Sequence, residues 1–189
     1  DNGGYGPATD MDPLKGYKGT YYEGGIRVPF FVRWPGVVNA GTRSSEPVIG
    51  VDLLPTLCEM VGAAAPIGQK TDGQSLVPLL SGDRVSLQPR ALFWHFPAYL
   101  QAYQVIDEQR DPLFRSRPCS VIREGHWKMH HYFENNAIEL YDLSTDIGER
   151  YDLSLVRPEL VKSMSNNLDQ WREATKAAVP TELNPDYDA

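Results

Sequence analysis

Residues 14–36 read LKGYKGTYYEGGIRVPFFVRWPG, and their first half keeps neither the twofold period of a strand nor the 3.6 period of a helix. Four glycines, Gly16, Gly19, Gly24 and Gly25, separate lysines and tyrosines there, so residues 1–27 as a whole read as a long loop. A loop of that length in a compact domain is usually either functional or disordered. The second half, VPFFVRWPG (28–36), is β-branched and aromatic and closes on Pro35-Gly36, which predicts a buried strand. Upstream lies DNGG (1–4). Taken alone it is a turn, because Asn and Gly accept positive φ at little cost.

The rest of the composition bounds what such a chain can be. With 189 residues, 41% of them hydrophobic and 11% aromatic, it can bury a core of one domain or one and a half. The formal net charge is −7, from 25 acidic and 18 basic residues, and no run of Lys or Arg makes a nucleic-acid or membrane footprint, so nucleic acid is not an expected partner. Cys58 and Cys119 stand far apart and indicate neither a CxxC metal site nor a disulfide framework. No stretch approaches the ~18 apolar residues of a membrane span.

Downstream of Gly36 the periodicity is clearer. VDLLPTLCEMVG (51–62) offers Asp52 as a helix N-cap, Pro55 in the first turn, and Leu53, Leu54, Leu57, Met60 and Val61 on one face, which predicts a core-facing helix. SLVPLLSG (75–82) predicts a short helical turn. ALFWHFP (91–97), CSVIREG (119–125), WKMHHYF (127–133) and IELYDLS (138–144) are four strand-like runs, the last three joined by short turns as in an antiparallel meander. Pro158 then opens a helix with Leu160, Met164, Leu168 and Trp171 on one stripe. Strands followed by an amphipathic helix predict an α+β unit with the helix on one sheet face.

The order of these stretches resembles the type I, formylglycine-dependent sulfatase family of the alkaline phosphatase superfamily. The resemblance is carried by Asp1-Asn2-Gly3, Lys18-Gly19-Thr20, Glu23-Gly24-Gly25-Ile26-Arg27-Val28-Pro29 and RWPG (33–36). It continues through VDLLPT (51–56), DGQSLVPLLSG (72–82), LFWHFP (92–97), IREGHWKM (122–129) and ELYDLSTDIGE (139–149). The implied fold is α/β, the end of an alkaline-phosphatase-like mixed-sheet domain, followed by a small α+β C-terminal subdomain with a roughly four-stranded antiparallel sheet and a C-terminal helix. The corresponding divisions are residues 1–90, 91–178 and a tail at 179–189.

By the same resemblance Asp1 and Asn2 are ligands of a Ca2+ ion, and Lys18 is the catalytic, sulfate-binding lysine. The chemistry agrees. A carboxylate and an amide carbonyl are hard donors suited to calcium, and Gly3-Gly4 lets consecutive side chains converge where the chain bends. A lysine ammonium is a compact charge with three donors, fitted to a sulfate oxygen and to the leaving-group oxygen as charge develops. Outside the resemblance, an isolated Lys18 would read as a solvated loop residue, and Lys15 is read so. Glu23 and Arg27 read as a charge pair locking the loop onto the sheet, with Gly24 and Gly25 permitting close backbone approach. His95 is a candidate substrate-binding residue, able to donate to a sugar hydroxyl or sulfate; the competing reading is a half-buried strand histidine satisfied by backbone. His130 and His131 face opposite sides of one strand and cannot share a metal. Trp94, Phe96, Tyr99 and Tyr103 divide between carbohydrate stacking and core packing, and Arg110, Arg115 and Arg117 between reading an acidic sugar and offsetting acidic neighbours.

The family's nucleophile motif, C/S-x-P-x-R, is not found: Cys119 is followed by Ser-Val-Ile-Arg, and Ser86 in SLQPR has its Pro one position late. The chain therefore reads as a C-terminal portion, with the formylglycine nucleophile and further calcium ligands expected in an N-terminal region. The function implied is hydrolysis of a sulfate ester of a small molecule or glycan, an aryl sulfate or a sulfated carbohydrate, in a periplasmic, secreted or lysosome-like setting. The family's reaction is attack of the hydrated aldehyde on sulfur, release of the alcohol, then elimination of sulfate. Alternatives are a phosphoester or phosphonate hydrolase of the superfamily, or an inactive sulfatase-like binding homologue. Two oxygen ligands cannot hold calcium tightly, so this chain alone is expected neither to bind it well nor to cleave sulfate esters. Oligomeric state is not legible.

Overall fold

The computed structural model describes residues 2–64, 71–102, 114–182 and 185. In chain order the elements are helices α1 (Glu23–Ile26), α2 (Leu53–Met60) and α3 (Val77–Leu80), then strands β1 (Ala91–Phe96), β2 (Leu100–Gln101), β3 (Phe114–Ser116), β4 (Cys119–Glu124), β5 (Trp127–Tyr132) and β6 (Ile138–Asp142), and finally helix α4 (Pro158–Thr175). They fall into two compact units, residues 1–29 with 90–189, and residues 30–89. Residues 1–29, which the linear reading groups with residues 30–90, thus pack with the sheet.

The larger unit is built on the expected four-stranded antiparallel sheet, ordered β1-β4-β5-β6. The β4–β5 turn is closed by Gly125 at φ 58° and the β5–β6 turn by Asn136 at φ 54°, left-handed positions that Gly and Asn tolerate. The pairing aligns Phe93, Ile122, Met129 and Leu140 across the four strands. Their common face meets Met164 and Leu168 of α4, and Ile122, Met129, Leu140, Met164 and Leu168 all have zero exposure. Phe93 stacks on Trp171 at 4.8 Å between ring centroids. The predicted α4 stripe is thus the apolar layer under the sheet. A two-stranded pair, β2 with β3, is an element the sequence did not announce.

The smaller unit departs from expectation at two places. VPFFVRWPG forms no strand, and Phe31 is 90% exposed. A strand requires a hydrogen-bonding partner edge, and among the described residues this run finds none. The 51–62 run is helical as predicted, but Leu53, Leu54, Leu57 and Val61 face outward, Val61 at 76% exposure. What α2 buries instead is its polar side. Asp52 sits at the N-cap position without making a cap bond; its carboxylate accepts the Ile49 and Gln74 backbone N–H groups, each at 2.9 Å. Thr56 Oγ1 donates to Asp52 O at 2.6 Å and accepts the Leu76 N–H at 2.9 Å, tying the helix to the segment before α3. Periodicity identified the helix but not the face that is covered.

Candidate active site

The second face of the sheet alternates with the apolar one and carries Arg123 on β4, Lys128 and His130 on β5, and Glu139 and Tyr141 on β6. It is buried. Residues 15–26 lie across it, and Lys128 and His130 have 0% and 1% exposure. Lys128 Nζ lies 3.0 Å from Glu23 Oε1 and 3.0 Å from Glu149 Oε1. Glu149 Oε2 accepts the Glu23 backbone N–H at 2.5 Å. His130 Nε2 meets Glu149 Oε1 at 3.3 Å, and since a carboxylate only accepts, that nitrogen carries the proton. Arg27 and Arg123 reach the other Glu23 oxygen at 3.3 and 3.6 Å. Glu23 does lock the loop to the sheet, although through Lys128 and Glu149 more than through Arg27.

Burial by itself would raise the Glu149 carboxyl, but the Lys128 ammonium and the hydrogen bonds from His130 and Glu23 outweigh it and hold the group below its usual range. Burial, with the Lys128 charge assisting, pushes the His130 imidazole below its ordinary value despite Glu149, so the ring stays neutral. Beside it Tyr22 Oη donates to Glu139 Oε2 at 2.7 Å and Tyr141 Oη donates to the same oxygen at 3.0 Å. Burial lifts the Tyr22 phenol well above its ordinary range, and the surrounding phenols and Glu139 add to the shift. Lys15 is not the solvated residue expected. It is half-buried, 4.2 Å above the Tyr22 ring, donating to Glu149 O at 3.2 Å, because the loop folds back over its own tyrosines.

From this anchored turn the glycines carry the chain toward Lys18. A Cβ on Gly24 would lie 2.2 Å from Gly16 O, and one on Gly25 2.1 Å from Thr20 O, so only glycine lets α1 press against the loop. Gly3, at φ 46°, rests on the same turn, where a Cβ would come within 2.6 Å of Gly24 O. The Lys18 N–H donates to Gly4 O at 2.9 Å, and Arg115 Nη1 approaches Lys18 O at 3.4 Å. The lysine loop and the segment 2–4, far apart as motifs, are thus joined by backbone contact over one glycine platform.

Of the residues singled out, Asp1, Tyr103 and Arg110 lie outside the described residues. Asn2 is exposed, directly before the bend at Gly3, and Lys18 is half-exposed. His95 has both ring nitrogens engaged within the chain, Nδ1 with Ser120 Oγ and Nε2 with Ala178 O, each at 2.8 Å, and its ring neighbours Trp171. Arg117 pairs with Glu134 at 2.8 Å, and Trp94 packs against Cys119, Val121 and Tyr132. Among the described residues, no three His, Cys, Asp or Glu side chains converge as a metal site, and no helix is long and apolar enough to cross a membrane.

Residues 17–174 match the family described as N-sulphoglucosamine sulphohydrolase, C-terminal. The chain is a member of the sulfatase family. A sulfatase of Formosa agariphila is 36% identical over 90% of this chain and 31% of its own length. The steryl-sulfatase of Mus musculus is 42% identical over 91% of this chain and 30% of its own length. The crystal structure of Ps i-CgsB in complex with k-i-k-neocarrahexaose superposes with a TM-score of 0.71 and 26% identity, covering 98% of this chain and 37% of that one. This sulfatase chain thus spans about a third of the length of the curated relatives it matches.

Proposed function

We propose that this chain contributes one side of a sulfatase active site that hydrolyses sulfate esters of a sulfated carbohydrate or an aryl alcohol, with Lys18 binding the sulfate and steadying the departing oxygen. The observation that carries the reading is the Lys18 N–H to Gly4 O hydrogen bond, which unites the lysine loop with residues 2–4 on one platform within a chain whose relatives are sulfatases. Asp1 and Asn2 supply hard oxygen donors, and the turn at Gly3 re-aims the chain directly after them, which fits a calcium ion. When bound, such an ion would stabilise negative charge on sulfate oxygens. The formylglycine nucleophile belongs to residues other than these. His95, with both nitrogens committed, is assigned to the fold rather than to substrate.

The test is hydrolysis by the full-length protein of 4-nitrophenyl sulfate and a panel of sulfated mono- and disaccharides, with 4-nitrophenyl phosphate in parallel. Sulfate-ester turnover should exceed phosphate-ester turnover, and Lys18→Ala should lower kcat by about 10²–10³, the typical cost of a lost transition-state donor. Wild-type turnover in Lys18→Ala, or preference for the phosphate ester, would refute the reading.

A further inference from the structure

We infer that the buried Glu23–Lys128–Glu149 cluster is the positioning device of this site, holding α1 on the sheet and, through α1, both the Lys18 loop and residues 2–4. The catalytic consequence rests on the sulfatase reading above; the structural one does not. Three segments distant in sequence meet at the cluster, and its bonds are directional. Lys128 bridges Glu23 and Glu149 at 3.0 Å each, and Glu149 takes the N–H that opens α1 at 2.5 Å. One residue later the Gly24 N–H donates to Lys15 O at 2.8 Å, and the Gly24 carbonyl underlies Gly3. Gly4 in turn receives the Lys18 N–H.

An apolar contact would let α1 slide along the sheet, whereas charge-assisted bonds of fixed geometry set its register. The register matters because a misplacement of about 1 Å at a catalytic group costs about a hundredfold in rate. Lys128 and Glu149 have zero exposure and meet no substrate, so they act through α1.

The experiment compares the full-length wild type with Lys128→Met, Glu149→Gln and a control, Met164→Ala. Met164 is equally buried, against the opposite sheet face, so its truncation destabilises the unit without touching the cluster. Turnover of 4-nitrophenyl sulfate is measured at a temperature where the variants are folded, together with hydrogen exchange at the Lys18, Gly24 and Gly25 amides. Lys128→Met and Glu149→Gln should lower kcat at least tenfold with KM changed less than threefold. Their three amides should exchange at least tenfold faster than in Met164→Ala, which keeps wild-type kcat. Kinetics and exchange matching the control would overturn the inference. Should Lys128→Met fail to fold, Glu149→Gln decides alone, because Gln keeps the shape of Glu149 while removing the charge that holds Lys128. Should the wild type turn over no sulfate ester, the sulfatase reading falls, and exchange in Glu149→Gln still decides the positioning role.

Discussion

Replacing Lys128 by Met is the sharpest perturbation of the fold that the structure offers. The side chains are of similar length, so the substitution removes a charge and three donors while leaving most of the volume. Lys128 is fully buried with Glu23 and Glu149 each 3.0 Å from its nitrogen. Without it Glu23 retains Arg27 and Arg123, but Glu149 is left, among the described residues, with the His130 ring and the Glu23 N–H. Breaking a buried pair by removing one partner costs about 3–5 kcal/mol, because the remaining charge is stranded out of water. At roughly 2–4 °C per kcal/mol for a chain of this size, Tm should fall by about 6–20 °C at neutral pH.

The sign of the pH dependence is a second constraint. In the wild type Glu149 titrates below its usual value, so its contribution is present above the unfolded pKa and is lost as pH falls through the folded one. In the variant the same carboxylate is disfavoured as an anion, so its penalty is relieved by acid. The gap between the two proteins must therefore narrow as pH falls from 7 toward 4. Thermal unfolding followed by circular dichroism checks both points. A Tm within 2 °C of wild type, or a gap that does not change with pH, would refute the electrostatic account. Neutralising both carboxylates as well, with Glu23→Gln and Glu149→Gln added to Lys128→Met, should recover most of the loss.

Two further outcomes arise from the same unit. Burial depresses both His130 and His131, with the charges of Lys128 and Arg172 respectively acting in the same direction, so the unfolded chain binds their protons first. Stability measured by denaturant titration should be level above about pH 7 and fall as pH drops below about 6.5, and His130→Gln should flatten part of that slope. Gly25→Ala places a methyl 2.1 Å from Thr20 O, so it should lower Tm and speed exchange of the Lys18 amide even though Ala is the better helix former.

Much of the fold was legible because its signals are local. The alternation of β4 to β6, the turn residues Gly125 and Asn136, and the Leu160–Met164–Leu168–Trp171 stripe each name an element from its own residues. What sequence could not give was the partner of each face. Lys128, His130 and Glu139 alternate with apolar residues, and nothing in that alternation names the segment about a hundred residues earlier that covers them. A clue lay in this face mixing both charge signs with tyrosines, while Glu23 and Glu149 fall inside the quoted stretches 23–29 and 139–149. Likewise the stripe on α2 is helical in period but exposed, and the run 28–36 is strand-like in composition but unpaired, since neither burial nor pairing is a property of a segment alone. The link between Lys18 and Gly4 is a tertiary backbone bond that no spacing rule predicts.

The central claim is that the Asp1–Gly4 segment and Lys18 serve one sulfate-cleaving site. Its most direct test is calcium titration of 4-nitrophenyl sulfate turnover by the full-length protein, wild type against Asn2→Ala. The account predicts calcium-dependent turnover whose midpoint rises at least tenfold in the variant, with Lys18→Ala slowed by about 10²–10³ at every calcium concentration. A titration that Asn2→Ala leaves unchanged would contradict it.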